Sequence, residues 1–161
     1  MKAQSAVLRV SMWIFVACGI WLIGLGGYFM FVRLPLLPED LRYIGSSATQ
    51  VESLLPNLAS WLQNVFMVMG GFMAGCGVLV VFASVRGVQH CVQGAGIALG
   101  FTGLLTVSTM SWINFALDSD FKWLLLVPSL AWLVGLVTYA ASRPGERAIA
   151  ATARTKSDAL P

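Results

Sequence analysis

The chain has 161 residues, of which 58% are apolar and only 11% charged, with a net charge of +3 at pH 7. A soluble domain is about 45 to 50% apolar and about 25% charged, so this composition cannot cover a core with a water-facing surface and the chain reads as an integral membrane protein. A helix needs about 20 apolar residues to cross the hydrocarbon, and four such stretches fit within the length.

The first runs over residues 10–32, between Arg9 and Arg33. It is longer than the apolar region of a secretory signal, has no small-residue cleavage site and leads into Tyr28, Phe29 and Phe31, so it is read as a retained span. The second, 65–85, stops at Arg86; the third covers 92–113; the fourth, 123–141, ends before Arg143 and Pro144. Arg86, Gln89 and His90 lie in the short link between spans 2 and 3, which predicts antiparallel neighbours in a tight hairpin, and the 114–122 loop predicts the same for spans 3 and 4. Backbone amides find no water inside a bilayer, so each span satisfies its own hydrogen bonds as a helix. The expected fold is all-α: an integral membrane four-helix bundle, residues 1–142, followed by a tail, 143–161, without a packed apolar face and expected to be disordered or a short surface helix.

The first outer loop, 33–64, is the one substantial element outside the spans. Pro35 and Pro38 break the helix continuing from span 1, and Glu39 and Asp40 follow where acids favour the unpaired amides of a new helix. Ser47 and Gln50 fit a capping box. Val51, Leu54, Leu55, Leu58, Trp61 and Leu62 then recur at helical spacing, predicting an outer amphipathic helix that lies at the interface with Trp61 at headgroup depth or caps the bundle. Pro56 is placed to begin a helix running straight into span 2.

Basic residues are retained on the cytoplasmic side of short connections. Seven of them (Lys2, Arg9, Arg86, Arg143, Arg147, Arg154, Lys156) fall on one side, with two acids, and three (Arg33, Arg42, Lys122) on the other, with five acids. This places both termini in the cytoplasm and accounts for the basic balance as topology. It argues against a nucleic-acid partner, since the positive residues lie at membrane ends without base-stacking aromatics between them.

Inside the spans, Gly71 and Gly75 stand one turn apart in span 2, and Gly96, Gly100 and Gly103 form a stripe in span 3. Close backbone approach supplies packing energy in lipid, so such stripes mark helix contacts. They fit a homodimer seam or a contact with another membrane protein, or close packing within one bundle, the more ordinary use. Thr102, Thr106 and Thr109 share a face of span 3, near Ser108, Ser111 and Asn114. They fit the lining of a polar cavity, or hydroxyls that return their bond to a carbonyl one turn earlier. Pro128 is placed to kink span 4.

No Asp, Glu, Lys, Arg or His lies well inside a span, although proton and ion pathways commonly use them. The single histidine, His90, supplies neither two axial ligands for haem nor an imidazole-rich zinc site, so no cofactor or metal is expected. Cys18, Cys76 and Cys91 contain no CxxC pair; the first two read as small packing residues and Cys91 as a turn thiol open to acylation. Chemistry is left to the outer side, where Glu39 and Asp40 follow span 1 and Asp118 and Asp120 separate spans 3 and 4, with Arg42, Tyr43 and Lys122 in reach. Such carboxylates can bind a ligand or divalent cation or act as acid and base; they can equally be hydrated caps and salt bridges.

The string Pro-Glu-Asp-Leu-Arg-Tyr at 38–43, with Gly70-Gly71 through Gly77, resembles the small bacterial four-span membrane proteins grouped as DoxX-like. The resemblance implies a compact four-helix bundle and a bacterial source, and carries over no catalytic residues. The functional expectation is a polytopic protein of the bacterial inner membrane without catalytic activity. It would serve as a partner subunit or as a binder of lipid or another apolar ligand. The alternative is a membrane-embedded enzyme or small transporter using the outer carboxylates and the threonine face.

Overall fold

A computed structural model describes residues 2–142; the expected tail, 143–161, lies outside the described residues. Within them every regular element is helical: α1 (Lys2–Phe31), α2 (Pro38–Ile44), α3 (Ala48–Leu54), α4 (Leu58–Ala83), α5 (Ala95–Gly103), α6 (Thr109–Ala116) and α7 (Lys122–Ala141). A π-helical segment, Ser84–Val88, continues α4, and another, Leu104–Ser108, joins α5 to α6. Four helices are long and apolar enough to cross a membrane: Ala6–Phe31, Leu58–Val88, Ala95–Ala116 and Lys122–Ala141. The protein is therefore a multi-pass, all-α membrane bundle. Its two ends are called here the loop end, with residues 32–57 and 117–121, and the hairpin end, with residues 89–94.

The outer loop folds as two short helices. Asp40 accepts a hydrogen bond from the Leu37 amide at 2.8 Å, which starts α2 with Glu39 and Asp40 in its first turn, and Gly45 ends it in the left-handed region at φ 72°. Ser47 accepts from the Gln50 amide while the Gln50 side chain accepts from the Ser47 amide, a reciprocal capping box that begins α3. The apolar series from Val51 to Leu62 is not one continuous helix. Pro56 lacks an amide hydrogen and disfavours helical geometry in the residue before it, so α3 stops at Leu54 and α4 starts at Leu58, with Trp61 exposed on its first turn. Val51 is the one buried residue of α3.

Spans 2 and 3 are neighbours along the chain but not the main partners in space. α1 packs along α4 on one flank and along α7 on the other, while α7 also carries α5 and α6, so the spatial order is span 2, span 1, span 4, span 3. α4 and α5 meet only lightly, beside the hairpin where Gly87 lies against Ala95.

Glycines decide the α1–α4 contact, and they are not the pair expected. A Cβ on Gly26 would stand 2.5 Å from the Gly70 carbonyl oxygen, and one on Gly77 would stand 2.6 Å from that of Gly19; both distances are prohibitive. The packed face of α4 is thus Gly70, Ala74 and Gly77. Gly71 and Gly75 point away from the bundle with open space where a Cβ would go, as does Gly100 in span 3. Gly71 and Gly75 each follow a packed residue, Gly70 or Ala74, by one position, about 100° of helix rotation at 3.6 residues per turn. Gly96 and Gly103 do pack, but under aromatic rings: Gly96 lies beneath Tyr139 and Gly103 beneath the Trp132 indole, both from α7.

The core joins Met12, Phe15, Val16, Cys18 and Leu22 of α1 with Val80, Val88, Leu99, Val107, Trp132 and Tyr139. Phe15 meets Trp132 edge to face, 5.6 Å between centroids. Polar groups in this apolar setting are tied to backbone. Ser11 donates to the Gly135 carbonyl at 2.8 Å, Trp132 Nε1 to Leu99 O at 2.9 Å, and Ser129 Oγ to Val107 O at 2.8 Å. Ser111 Oγ lies 2.8 Å from Leu125 O and 2.7 Å from Ser129 Oγ. Pro128 sits buried in the middle of α7; having no amide hydrogen, it interrupts the ladder at the turn where Leu125 receives Ser111.

Candidate functional site

The loop-end cluster is assembled from α2 and from the turn between α6 and α7. Asp118 takes a left-handed conformation, φ 49°, which an aspartate tolerates, and the Ser119 amide then donates back to Asn114 O at 3.0 Å, closing α6. This turns Ser119 inward, where it is 3% exposed, and presents its hydroxyl and the Asp120 amide to α2. Glu39 Oε2 accepts from both, at 2.9 and 3.0 Å. One carboxylate oxygen therefore fastens the first outer loop to the second.

The other carboxylates each face a cation. Arg42 Nη2 donates to both oxygens of Asp120, at 3.1 and 3.0 Å, and both side chains are well exposed. Lys122 bonds Asp118 one turn away. Asp40 pairs with Arg33 at 3.2 Å while holding the Leu37 amide. The Arg33 guanidinium also lies over the Phe66 ring, 3.9 Å from its centroid, and 5.4 Å from that of Phe29. With its side chain only 12% exposed, Arg33 is the most enclosed member of the three ion pairs and joins α1, α2 and α4.

These pairings shift two groups outside the membrane. The hydrogen bond to Asp120, and then its charge, push the Arg42 pKa further above its ordinary value. The bond from Lys122, then its charge, and more weakly the charge of Arg42, hold the Asp118 carboxyl below the usual aspartate range.

Glu39, Asp40, Arg42, Asp118 and Asp120 do converge from separate loops as the sequence suggests, with Lys122 among them, while Tyr43 is 69% exposed. Among the described residues no group of three His, Cys, Asp or Glu is arranged to hold a metal ion. Glu39 and Asp40, although adjacent in sequence, serve different partners, the 119–120 turn and Arg33. Arg33 and Ser119 were not singled out as site residues from the sequence. An arginine four residues beyond Phe29 at the end of a span is a readable signal for the first, whereas the inward turn of Ser119 follows from a backbone conformation that residue types alone do not encode.

The threonine face of span 3 is occupied by its own helix. Thr102 donates to Ala98 O at 2.8 Å, Thr106 to Thr102 O at 2.6 Å, and Thr109 reaches five residues back to Leu104 O at 2.9 Å, across the π-helical segment. The hydroxyls that do link helices are Ser11, Ser111 and Ser129. No family model matches this chain, and neither curated proteins nor solved structures give a match.

Proposed function

We propose that this protein acts through its helix faces, without catalysis, as a packing partner for another membrane protein or as a holder of lipid or a similar apolar ligand. The setting is the bacterial inner membrane with both termini in the cytoplasm, in keeping with the likeness to DoxX-like proteins. The observation that carries this reading is how the polar groups are used. Glu39, Asp40, Asp118 and Asp120 each bind a donor of the protein itself, and the threonine hydroxyls return to their own helix. What the molecule offers to others is apolar surface, including the outward face of α4 with Phe72, Gly71 and Gly75.

Native mass spectrometry of the full chain in mild detergent tests it. Retained lipid or a stoichiometric protein subunit supports the reading. A reproducible polar or metal adduct, lost on Glu39→Gln or Asp120→Asn, overturns it in favour of an enzyme or transporter using the outer carboxylates. The orientation has its own test: a reporter active only in the cytoplasm, fused after Pro161, should be active, and activity of a periplasmic reporter there reverses it.

A further inference from the structure

The two ends of the bundle treat their cations differently. At the loop end Arg33, Arg42 and Lys122 each sit on a carboxylate. Every acidic residue among the described ones (Glu39, Asp40, Glu52, Asp118, Asp120) belongs to that end. At the hairpin end Arg9 is exposed and makes no ion pair within the described residues. It stands at one end of a shallow, open apolar groove on one face of α1, lined by Ala6, Arg9, Val10, Trp13, Ile14 and Ala17, all but Ile14 exposed. A smaller hollow on the other side of Arg9 adds the Gln89 amide, with Leu8 and Met12.

We infer that Arg9 and this groove bind an anionic phospholipid from the adjoining leaflet, with the phosphate on the guanidinium and one acyl chain along α1. This deepens the proposed function and rests on its reading of the helix faces as the working surface. Charge complementarity selects the occupant, since an apolar trough alone takes any hydrocarbon, but a trough ending at an arginine that meets no carboxylate among the described residues calls for a ligand that is apolar and terminates in an anion. A guanidinium matches two phosphate oxygens at once, and its aliphatic stem can lie on the groove wall while the charge reaches the headgroup layer. Basic pockets at the ends of spans are a recurrent means of holding anionic headgroups. The dimensions agree. From Arg9 to Ala17 the helix rises about 12 Å, most of the roughly 15 Å that one leaflet contributes to the hydrocarbon core. Trp13, 61% exposed and one turn beyond Arg9, stands where an indole favours the interface between headgroups and chains. The groove opens sideways to lipid, so a chain can enter without leaving the bilayer.

The test is retention of phosphatidylglycerol against phosphatidylcholine with the same acyl chains, offered as an equimolar mixture to the full-length protein in mild detergent and counted by native mass spectrometry. Wild type should keep phosphatidylglycerol about fivefold over phosphatidylcholine, the preference that one basic residue near a membrane surface supplies. Arg9→Gln should remove that preference, with helicity by circular dichroism unchanged, because the side chain is exposed and makes no ion pair within the described residues. Ala17→Trp, which fills the groove and keeps Arg9, should reduce the retained count of both lipids. Equal retention of the two lipids by wild type, an unchanged preference in Arg9→Gln, or a second copy of the chain occupying the groove and dispersed by Ala17→Trp overturns the site. Those results leave the helix-face reading standing, because that reading fails on a carboxylate-dependent polar adduct and not on lipid preference.

Discussion

The contact between α1 and α4 and the contact between α7 and span 3 both depend on glycine, and they use it in opposite ways. Against α4, glycines bring two backbones together, so that Gly26 faces Gly70 and Gly19 faces Gly77 with no room for a Cβ. Against α7, glycines leave hollows in α5 that large rings fill, Trp132 over Gly103 and Tyr139 over Gly96. The first seam is held by close packing of main chain. The second adds directional bonds, from Trp132 to Leu99 O and through Ser111 and Ser129. The same residue type thus produces a helix pair that tolerates nothing larger and one that depends on the partner's shape.

Substitutions should separate the two, and the largest effect belongs to the backbone seam. Gly26→Leu is expected to cost about 3 kcal/mol or more, as overpacking against rigid backbone does. Gly71→Leu, on the same helix pair but facing outward, should stay within about 0.5 kcal/mol. Unfolding by sodium dodecyl sulfate in mixed micelles, followed by circular dichroism, measures both, and equal losses would abolish the distinction. At the ring-filled seam, Trp132→Phe should cost about 1 to 3 kcal/mol, chiefly by leaving Leu99 O without its indole donor. The same change made in a Gly103→Ala background should cost less, because the smaller ring makes room for the methyl group; strict additivity of the two would mean that the hollow does not accommodate the indole in particular.

The hydroxyl bond is a smaller contribution. A double-mutant cycle on Ser111→Ala and Ser129→Ala should return a coupling of about 0.6 kcal/mol, the average for hydrogen bonds between membrane helices. The smallest effect lies outside both seams. Since Lys122 lowers the pKa of Asp118 in the folded state, this pair stabilises the fold above the unfolded carboxylate pKa and loses its contribution as pH falls through the folded value. Stability should therefore show no Asp118 dependence from pH 8 to 5 and a shallow one below about pH 4, and Asp118→Asn should flatten that acid limb.

The spans are legible in the sequence because a bilayer imposes a length and a hydropathy on each, and the capping box at Ser47 and the helix start at Glu39 and Asp40 are legible because they are local. The helix order is not. In the run from Gly70 to Gly77 several small-residue registers satisfy the same spacing rule, and only the identity of the facing helix selects Gly70, Ala74 and Gly77 over Gly71 and Gly75. Likewise a threonine on a helix surface bonds either its own backbone or a cavity, and residue type does not decide which. The loop-end cluster could be anticipated as a gathering of charges, but not its division of labour. That Glu39 fastens two loops while Asp40 holds Arg33 depends on the turn at Asp118 and on the rings of Phe29 and Phe66.

The spatial order of the spans has a consequence for assembly at the membrane. As synthesis proceeds from the N-terminus, α1 meets α4 once the second span has entered, and their glycine seam can close at once. Span 3 enters next and finds only a light contact with α4, because its main partner, α7, has yet to be made. It must sit in lipid alone for the time that α7 takes to emerge. Thr102, Thr106 and Thr109 suit this interval, since each hydroxyl is satisfied by its own helix and asks nothing of a neighbour. Ser111 is different: its bonds run to Leu125 and Ser129, and they exist only when the last span arrives to complete the bundle.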